Sequence, residues 1–165
     1  MAALRQPLDI AIREATPADV PEILRQRRGM YEDMHYSDAA ALSAMMLTAE
    51  PYMKHALSEG SLRCWLAEIA HNSDSPAVVG CGAVVISPWP AHPYDLHCRR
   101  ATILNVYTYP QHRRKGIARR IMQTMIGWCR DQEFASVFLH ASDDGRPLYE
   151  ALGFEATNEM KLKLR

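Results

Sequence analysis

The sequence predicts an α/β fold, a sheet of mixed strand direction with helices packed on it. Three observations carry that prediction. Segments of alternating or wholly apolar character are interleaved with segments whose apolar residues recur every three to four positions. Read in order they give β-α-α-β-β-β-α-β-α-β, which suits neither a helix bundle nor a strand sandwich. The stretch "TILNVYTYP-QHRRK-GIARRIM" (Thr102 to Met122) reads as strand, tight turn and helix without a gap.

Each element has a local reason. Asp9 to Arg13 is a short strand. Thr16 is an N-cap residue, with Pro17 at the first helical position and Asp19 three residues after the cap, so a helix is expected from there to about Met34. A second helix starts at Asp38, and Pro51 is expected to break or kink it. "SLRCWLAEIA" alternates around Leu62, Cys64 and Leu66, and "AVVGCGAVVIS" is apolar throughout. These are two strands, the second buried, joined by the turn "HNSDSP". "PWPAHPYDLHCRR" (Pro88 to Arg100) is a long Pro-rich loop of the length that often carries function. "ATILNVYTY" is a β-rich strand stopped by Pro110. Ile117, Ile121, Met125 and Trp128 then mark the apolar stripe of a helix. "ASVFLHA" is a further strand, "RPLYEAL" a short helix capped by Gly153, and "NEMKLKLR" alternates as a terminal strand.

The totals bound the function. A chain of 165 residues is read as one domain, 1–165, with 48% apolar residues. No apolar run reaches the ~18 to 20 residues of a membrane span, and "MAALRQPLDI" has no signal-peptide core, so a cytoplasmic location and no membrane partner are expected. Cys64, Cys81, Cys98 and Cys129 stand far apart with no CxxC pair. They read as reduced core thiols, with no metal site. Net charge is zero but unevenly spread. Lys/Arg against Asp/Glu is 7 to 12 from Met1 to Cys98, 7 to 0 from Arg99 to Arg120, and 5 to 7 from Ile121 onward. Such asymmetry implies an anionic partner held at one place rather than a uniformly basic nucleic-acid surface.

The basic segment surrounds the strand-to-helix turn. A helix N-terminus directs unpaired N–H groups and a partial positive charge toward such a turn. Gly116 lets an anion approach the backbone, and Arg113, Arg114 and Lys115 add formal charge. The combination reads as a phosphate cradle. The bland alternative is a solvated basic turn capping an amphipathic helix. The P-loop and Rossmann glycine patterns are both absent, which argues against ATP or NAD by those routes.

"R-R-K-G-I-A" (Arg113 to Ala118), placed after a strand that ends in proline, resembles the R/Q-x-x-G-x-G/A motif of the GNAT superfamily of acyl-CoA-dependent N-acyltransferases. "SDDGRPLYEALGF" (Ser142 to Phe154) resembles that superfamily's strand-five, helix-four region with its "YxxxGF" pattern. The spacing of the two agrees, and the resemblance extends over nearly the whole chain, strongly from Thr102 to Phe154 and loosely before Arg63. It implies a mostly antiparallel central sheet, flanked by helices and splayed between strands 4 and 5. It also implies acetyl-CoA as co-substrate without a metal.

Carried over residue by residue, the resemblance puts the coenzyme A pyrophosphate on the turn Arg113, Arg114, Lys115, Gly116, Ile117, Ala118 and Arg119. The pantetheine arm falls beside the main chain of Val106, Tyr107 and Thr108. A bulge there would leave a donor for the thioester carbonyl. Tyr149 matches the tyrosine that protonates the departing thiolate; a phenol with a pKa of ~10 is protonated at neutral pH. Where relatives carry asparagine stands Ser142, either a pantetheine contact or a helix N-cap, and Arg146 reaches a phosphate or only solvent. Strands "ATILNVYTY" and "ASVFLHA" carry no carboxylate, so no general base is assigned. Asn105 holds a water or the amine, or else anchors the bulge. On the acceptor side stand Tyr31, Glu32, Asp33 and Trp89, the acids to attract a cationic amine and the aromatics to wall it. The partner is then a small-molecule, peptide or protein amine, and relatives often form homodimers. Two other classes stay open, an acyl-CoA sensor without turnover and a nucleic-acid binder using Arg99 to Arg120.

Overall fold

The computed structural model describes residues 9–70 and 76–164. In chain order it contains β1 (Ile10–Glu14), α1 (Val20–Asp33), α2 (Ala39–Glu59), β2 (Leu62–Ile69), β3 (Ala77–Pro88), β4 (Arg99–Thr108), α3 (Ile117–Asp131), β5 (Val137–Leu139) and α4 (Arg146–Glu150). The expected turn "HNSDSP" lies largely outside the described residues. No described helix is long and apolar enough to cross a membrane.

The five strands form one sheet in the order β1-β2-β3-β4-β5. Every neighbouring pair is antiparallel except β4 and β5. That last pair is parallel and short: Ala101, Thr102 and Ile103 face Val137, Phe138 and Leu139. Beyond Ile103 the pairing ends, so β4 from Leu104 to Thr108 is left without a described strand on that side. This is the expected splay.

The sheet is covered on both faces. Ile117, Ile121, Met122, Met125 and Cys129 of α3 pack against Trp65, Ala67, Val79, Val84 and Ile103. On the other face Val20, Ile23 and Leu24 of α1 and Met53 and Ala56 of α2 pack against Leu62, Cys64, Leu66, Cys81, Ala83 and Tyr107. Fully burying one such aliphatic side chain is worth ~1.5–3 kcal/mol, so the two layers dominate the stability. Gly82 sits where α3 crosses closest. A Cβ there would lie 2.7 Å from Ile121 Cγ2 and 2.8 Å from Met125 Cε.

Four expectations are corrected. Pro17–Asp19 forms a 3-10 turn, so α1 begins at Val20 rather than Pro17. The Asp19 carboxylate accepts from the Thr16 amide (2.8 Å) and hydroxyl (3.0 Å) and closes that turn. α2 runs through Pro51 without interruption. Proline deprives only one carbonyl of its donor, that of Leu47, and Leu47 is 74% exposed, so water can replace the bond. The strand expected over "ASVFLHA" shortens to Val137–Leu139, with Ala135, Ser136 and His140 exposed. The terminal stretch of "NEMKLKLR" forms no strand among the described residues; Met160, Leu162 and Leu164 are 94%, 81% and 86% exposed. A three-residue β5 offers that segment little edge to pair with.

Candidate active site

The end of β4 and the start of α3 build the first half of the site. After Pro110–His112, Arg114 adopts φ +61° and Gly116 adopts φ +79°. These two left-handed residues turn the main chain so that α3 starts with Gly116 as its N-cap. The Arg120 amide donates to Gly116 O (3.1 Å), closing the first helical turn. No described acceptor receives the amides of Arg114, Lys115, Gly116, Ile117, Ala118 or Arg119. A Cβ built on Gly116 meets no atom within 4 Å, so the approach to these amides is open. A row of unclaimed N–H groups at a helix N-terminus suits a diphosphate.

The four basic side chains of the turn do not act alike. Lys115 Nζ donates to Gln111 O (3.0 Å), and Arg114 and Arg119 are exposed. Arg113 folds the other way. Its Nε donates to Thr108 O (2.9 Å), its Nη2 pairs with Asp33, and its guanidinium lies 5.5 Å from the Tyr107 ring centroid. Arg113 therefore clips β4 to the end of α1, and its own amide donates to Pro110 O (3.3 Å).

The second half is a β-bulge in β4. Cys81 pairs with Tyr107 and Ala83 with Leu104, so Asn105 and Val106 together oppose Gly82 alone. Asn105 has φ +59°. The extra residue inverts the side-chain alternation. Ala101 and Ile103 pack toward α3 and so does Val106, whereas Leu104, Tyr107 and Tyr109 pack toward α1 and α2. The bulge sits where β5 has already left β4, so its backbone borders the opening. Asn105 itself is 3% exposed. Its Oδ1 accepts from Arg27 Nη1 (2.8 Å), and its Nδ2 is buried without a partner. Thr108 Oγ1 is buried without a partner as well.

Tyr149 lies on α4 with its ring against Gly145, where a Cβ would come within 2.8 Å of it, and edge-on to Phe154 at 6.1 Å. Burial pushes its phenol above the ordinary value, so it remains a proton donor at neutral pH. Ser142 stands in the turn before α4, whose N-cap is Gly145: its Oγ accepts from the Gly145 amide (3.2 Å), and its carbonyl accepts from Arg146 N (3.0 Å). Arg146 is exposed. Burial raises the thiols of Cys64 to about 12 and Cys129 to about 11, and that of Cys81 well up, which leaves these three as protonated core groups. Cys98, expected in the core, is exposed at φ +52° in the β3–β4 loop.

Of the acceptor-side residues, three stay together and one does not. Tyr31 and Tyr36 meet edge-to-face at 5.2 Å and line a cleft of about 260 Å³ with Asp38, Ala41, Leu42 and Met45. Glu32 pairs with Arg28 (2.8 Å), Asp33 pairs with Arg113, and Asp38 accepts from the Ala41 amide (2.9 Å). All three carboxylates are thus engaged, and the aromatic wall is what the cleft presents. Trp89 follows β3 at the end where Pro88 faces Arg99, and it stacks on Arg100 at 4.7 Å. It stands at the opposite end of β4 from the turn. A strand rises ~3.3 Å per residue, so Trp89 is separated from the bulge by roughly 20 Å of β4. Sequence reading missed Arg27, whose contact with Asn105 spans 78 positions and has no local signal.

The Acetyltransferase (GNAT) family model matches residues 26–154, a span from α1 through α4. Human N-acetyltransferase 8 is 28% identical over 109 residues, covering 64% of this chain and 44% of that protein. Human N-acetyltransferase 8B is 29% identical over 127 residues, covering 75% of this chain and 50% of that protein. The chain spans about half the length of these two curated relatives. A GCN5-related N-acetyltransferase from Ralstonia eutropha has the same fold with a TM-score of 0.82, at 28% identity over 94% of this chain and 98% of that one. A predicted acetyltransferase from Clostridium acetobutylicum, crystallised with acetyl-CoA, matches in fold with a TM-score of 0.81, at 23% identity over 94% and 96% of the two chains.

Proposed function

Because this chain belongs to the acetyltransferase (GNAT) family, we propose that it transfers an acetyl group from acetyl-CoA directly to a primary amine. The observation that carries the reading is the placement of two backbone features on one strand end. The undonated amides of residues 114–119 begin six residues past Thr108, the last β4 residue paired with β3. Before them, β4 from Leu104 to Thr108 has no described strand on its β5 side, and Pro110–His112 leads from it into the turn. The turn holds the diphosphate, Val106 and Tyr107 run beside the pantetheine arm, and the thioester reaches the bulge.

In the reaction the amine nitrogen attacks the thioester carbonyl carbon and a C–N bond forms. Charge develops on the carbonyl oxygen, and a main-chain donor at the bulge stabilises it. The C–S bond then breaks, and the thiolate takes the proton of the Tyr149 hydroxyl. The nitrogen's proton leaves to water in the opened sheet, since neither β4 nor β5 carries a carboxylate, and water returns a proton to the Tyr149 phenolate. Holding both reactants in one cleft supplies much of the rate. The cleft bounded by Tyr31 and Tyr36 receives the amine, with aromatic faces that suit an apolar or cationic carrier.

The test is thiol release from acetyl-CoA across a panel of primary amines. At least one amine is expected to stimulate release, and Tyr149→Phe to lower turnover by about 10- to 100-fold while CoA affinity holds. Binding of acetyl-CoA with no release for any amine would instead make the protein a sensor.

A further inference from the structure

The β4 bulge is held from α1, and the residue that holds it has no role in the reaction described above. Asn105 sits at φ +59°, a left-handed region that asparagine enters more readily than other residues with a Cβ but less readily than glycine. Something must keep it there. Arg27 Nη1 donates to its Oδ1 at 2.8 Å, and Cys81 Sγ donates to its main-chain carbonyl at 3.3 Å. A guanidinium has donors and no acceptor, so the contact also decides which end of the Asn105 amide faces α1. The second arm of Arg27, Nη2, donates to the Tyr31 hydroxyl at 3.2 Å, and its guanidinium lies 5.1 Å from the Tyr31 ring centroid. One side chain therefore spans from the aromatic cleft to the bulge. The Asn105 side chain is closed off from solvent, so what the bulge offers the opening is main chain.

We propose that Arg27 is a positioning residue: through Asn105 it fixes the bulge conformation that aims a main-chain donor at the thioester carbonyl. The inference rests on the acetyl-CoA reading above. It makes Asn105 a backbone device as well, not a group that touches substrate through its side chain.

The acyl carbonyl is present in acetyl-CoA and absent from CoA, so the ratio of their affinities reads the bulge without an acceptor amine. Calorimetry is run with both ligands on the wild type, Arg27→Ala, Asn105→Gly and the double variant. The wild type is expected to favour acetyl-CoA, and Arg27→Ala to lose about fivefold of that preference, the scale of one hydrogen bond. CoA affinity falls less than acetyl-CoA affinity, because the diphosphate turn does not touch Arg27. Asn105→Gly keeps the preference, since glycine adopts the left-handed conformation unaided. Adding Arg27→Ala to Asn105→Gly then changes nothing further, which a loss of general packing would not reproduce. Should Arg27→Ala fail to fold, Arg27→Gln removes the charged fork with less loss of volume and is read by the same ratio.

An unchanged ratio in the Arg27 variants, an equal loss in the Asn105→Gly background, or a wild type indifferent to the acetyl group would each overturn the proposal while leaving CoA binding intact. A wild type that binds neither ligand would overturn the acetyl-CoA reading itself.

Discussion

At the scale of single residues, Gly116 makes the sharpest claim. Its φ of +79° favours glycine, and the space beside it is empty. An alanine there would be strained without meeting a neighbour. A glutamate would be strained and would place a negative charge over the amides of the turn. Gly116→Glu is therefore expected to weaken CoA binding at least about 100-fold, combining backbone strain with charge repulsion. Titration calorimetry checks it, and affinity within tenfold of the wild type would remove the diphosphate from this turn. Gly116 and Tyr149 could be singled out from the sequence because each belongs to a short motif with fixed spacing. Arg27 could not, because what gives it meaning is a residue 78 positions away. Arg113 and Asp33 were read separately, one toward the cofactor and one toward the amine, and the fold pairs them across 80 positions. Two residues of opposite charge each look like a ligand contact until the fold brings them together.

At the scale of elements, strands and helices followed their periodicity, and the departures came where an end condition decided. The junction of β1 and α1 is an example. Asp19 accepts from Arg13 through both arms, Nη2 at 2.7 Å and Nη1 at 2.9 Å, and from the Thr16 amide. The Arg13 guanidinium, with Thr16 assisting, holds the Asp19 carboxyl down to about 2. The native state thus binds this proton less readily than the unfolded chain, whose carboxylate titrates near 3.9. The stabilisation is complete above about pH 4 and is lost as pH falls toward 2. Asp19→Asn is expected to be less stable than the wild type at pH 7 and to approach it near pH 2, as followed by urea unfolding at both values. A gap that is equal at both would assign the effect to shape rather than charge. The bulge belongs to this scale as well. "ATILNVYTY" reads as an uninterrupted strand, and nothing in its pattern marks Asn105 as an extra residue. The mark lies in the partner, where Gly82 faces two residues of β4.

At the scale of the whole molecule, the sheet has a different use at each end. β4 begins with Arg99 and Arg100 and ends at the amide-lined turn. Arg99 stacks on Phe134 at 4.2 Å, and Arg100 on Phe138 at 3.8 Å while bonding Glu159 at 2.9 Å. The basic run seen in the sequence is therefore two groups about 30 Å apart along a ten-residue strand. One is bound up in packing and the other borders the candidate site. The alternation of elements made the layers legible, because each layer needs a buried face and the apolar pattern records it. The splay was not readable from pattern alone, because it depends on β5 ending at Leu139. It follows from the family resemblance, and the β4–β5 register gives its physical form.

The account depends on the turn gripping a diphosphate while the adjoining strand carries the thioester arm. A crystal structure with CoA tests this most directly. The account predicts diphosphate oxygens within about 3 Å of main-chain amides among residues 114–119, with the pantetheine arm along Val106 and Tyr107. CoA bound away from α3, or held there only by side chains with those amides turned aside, would contradict it.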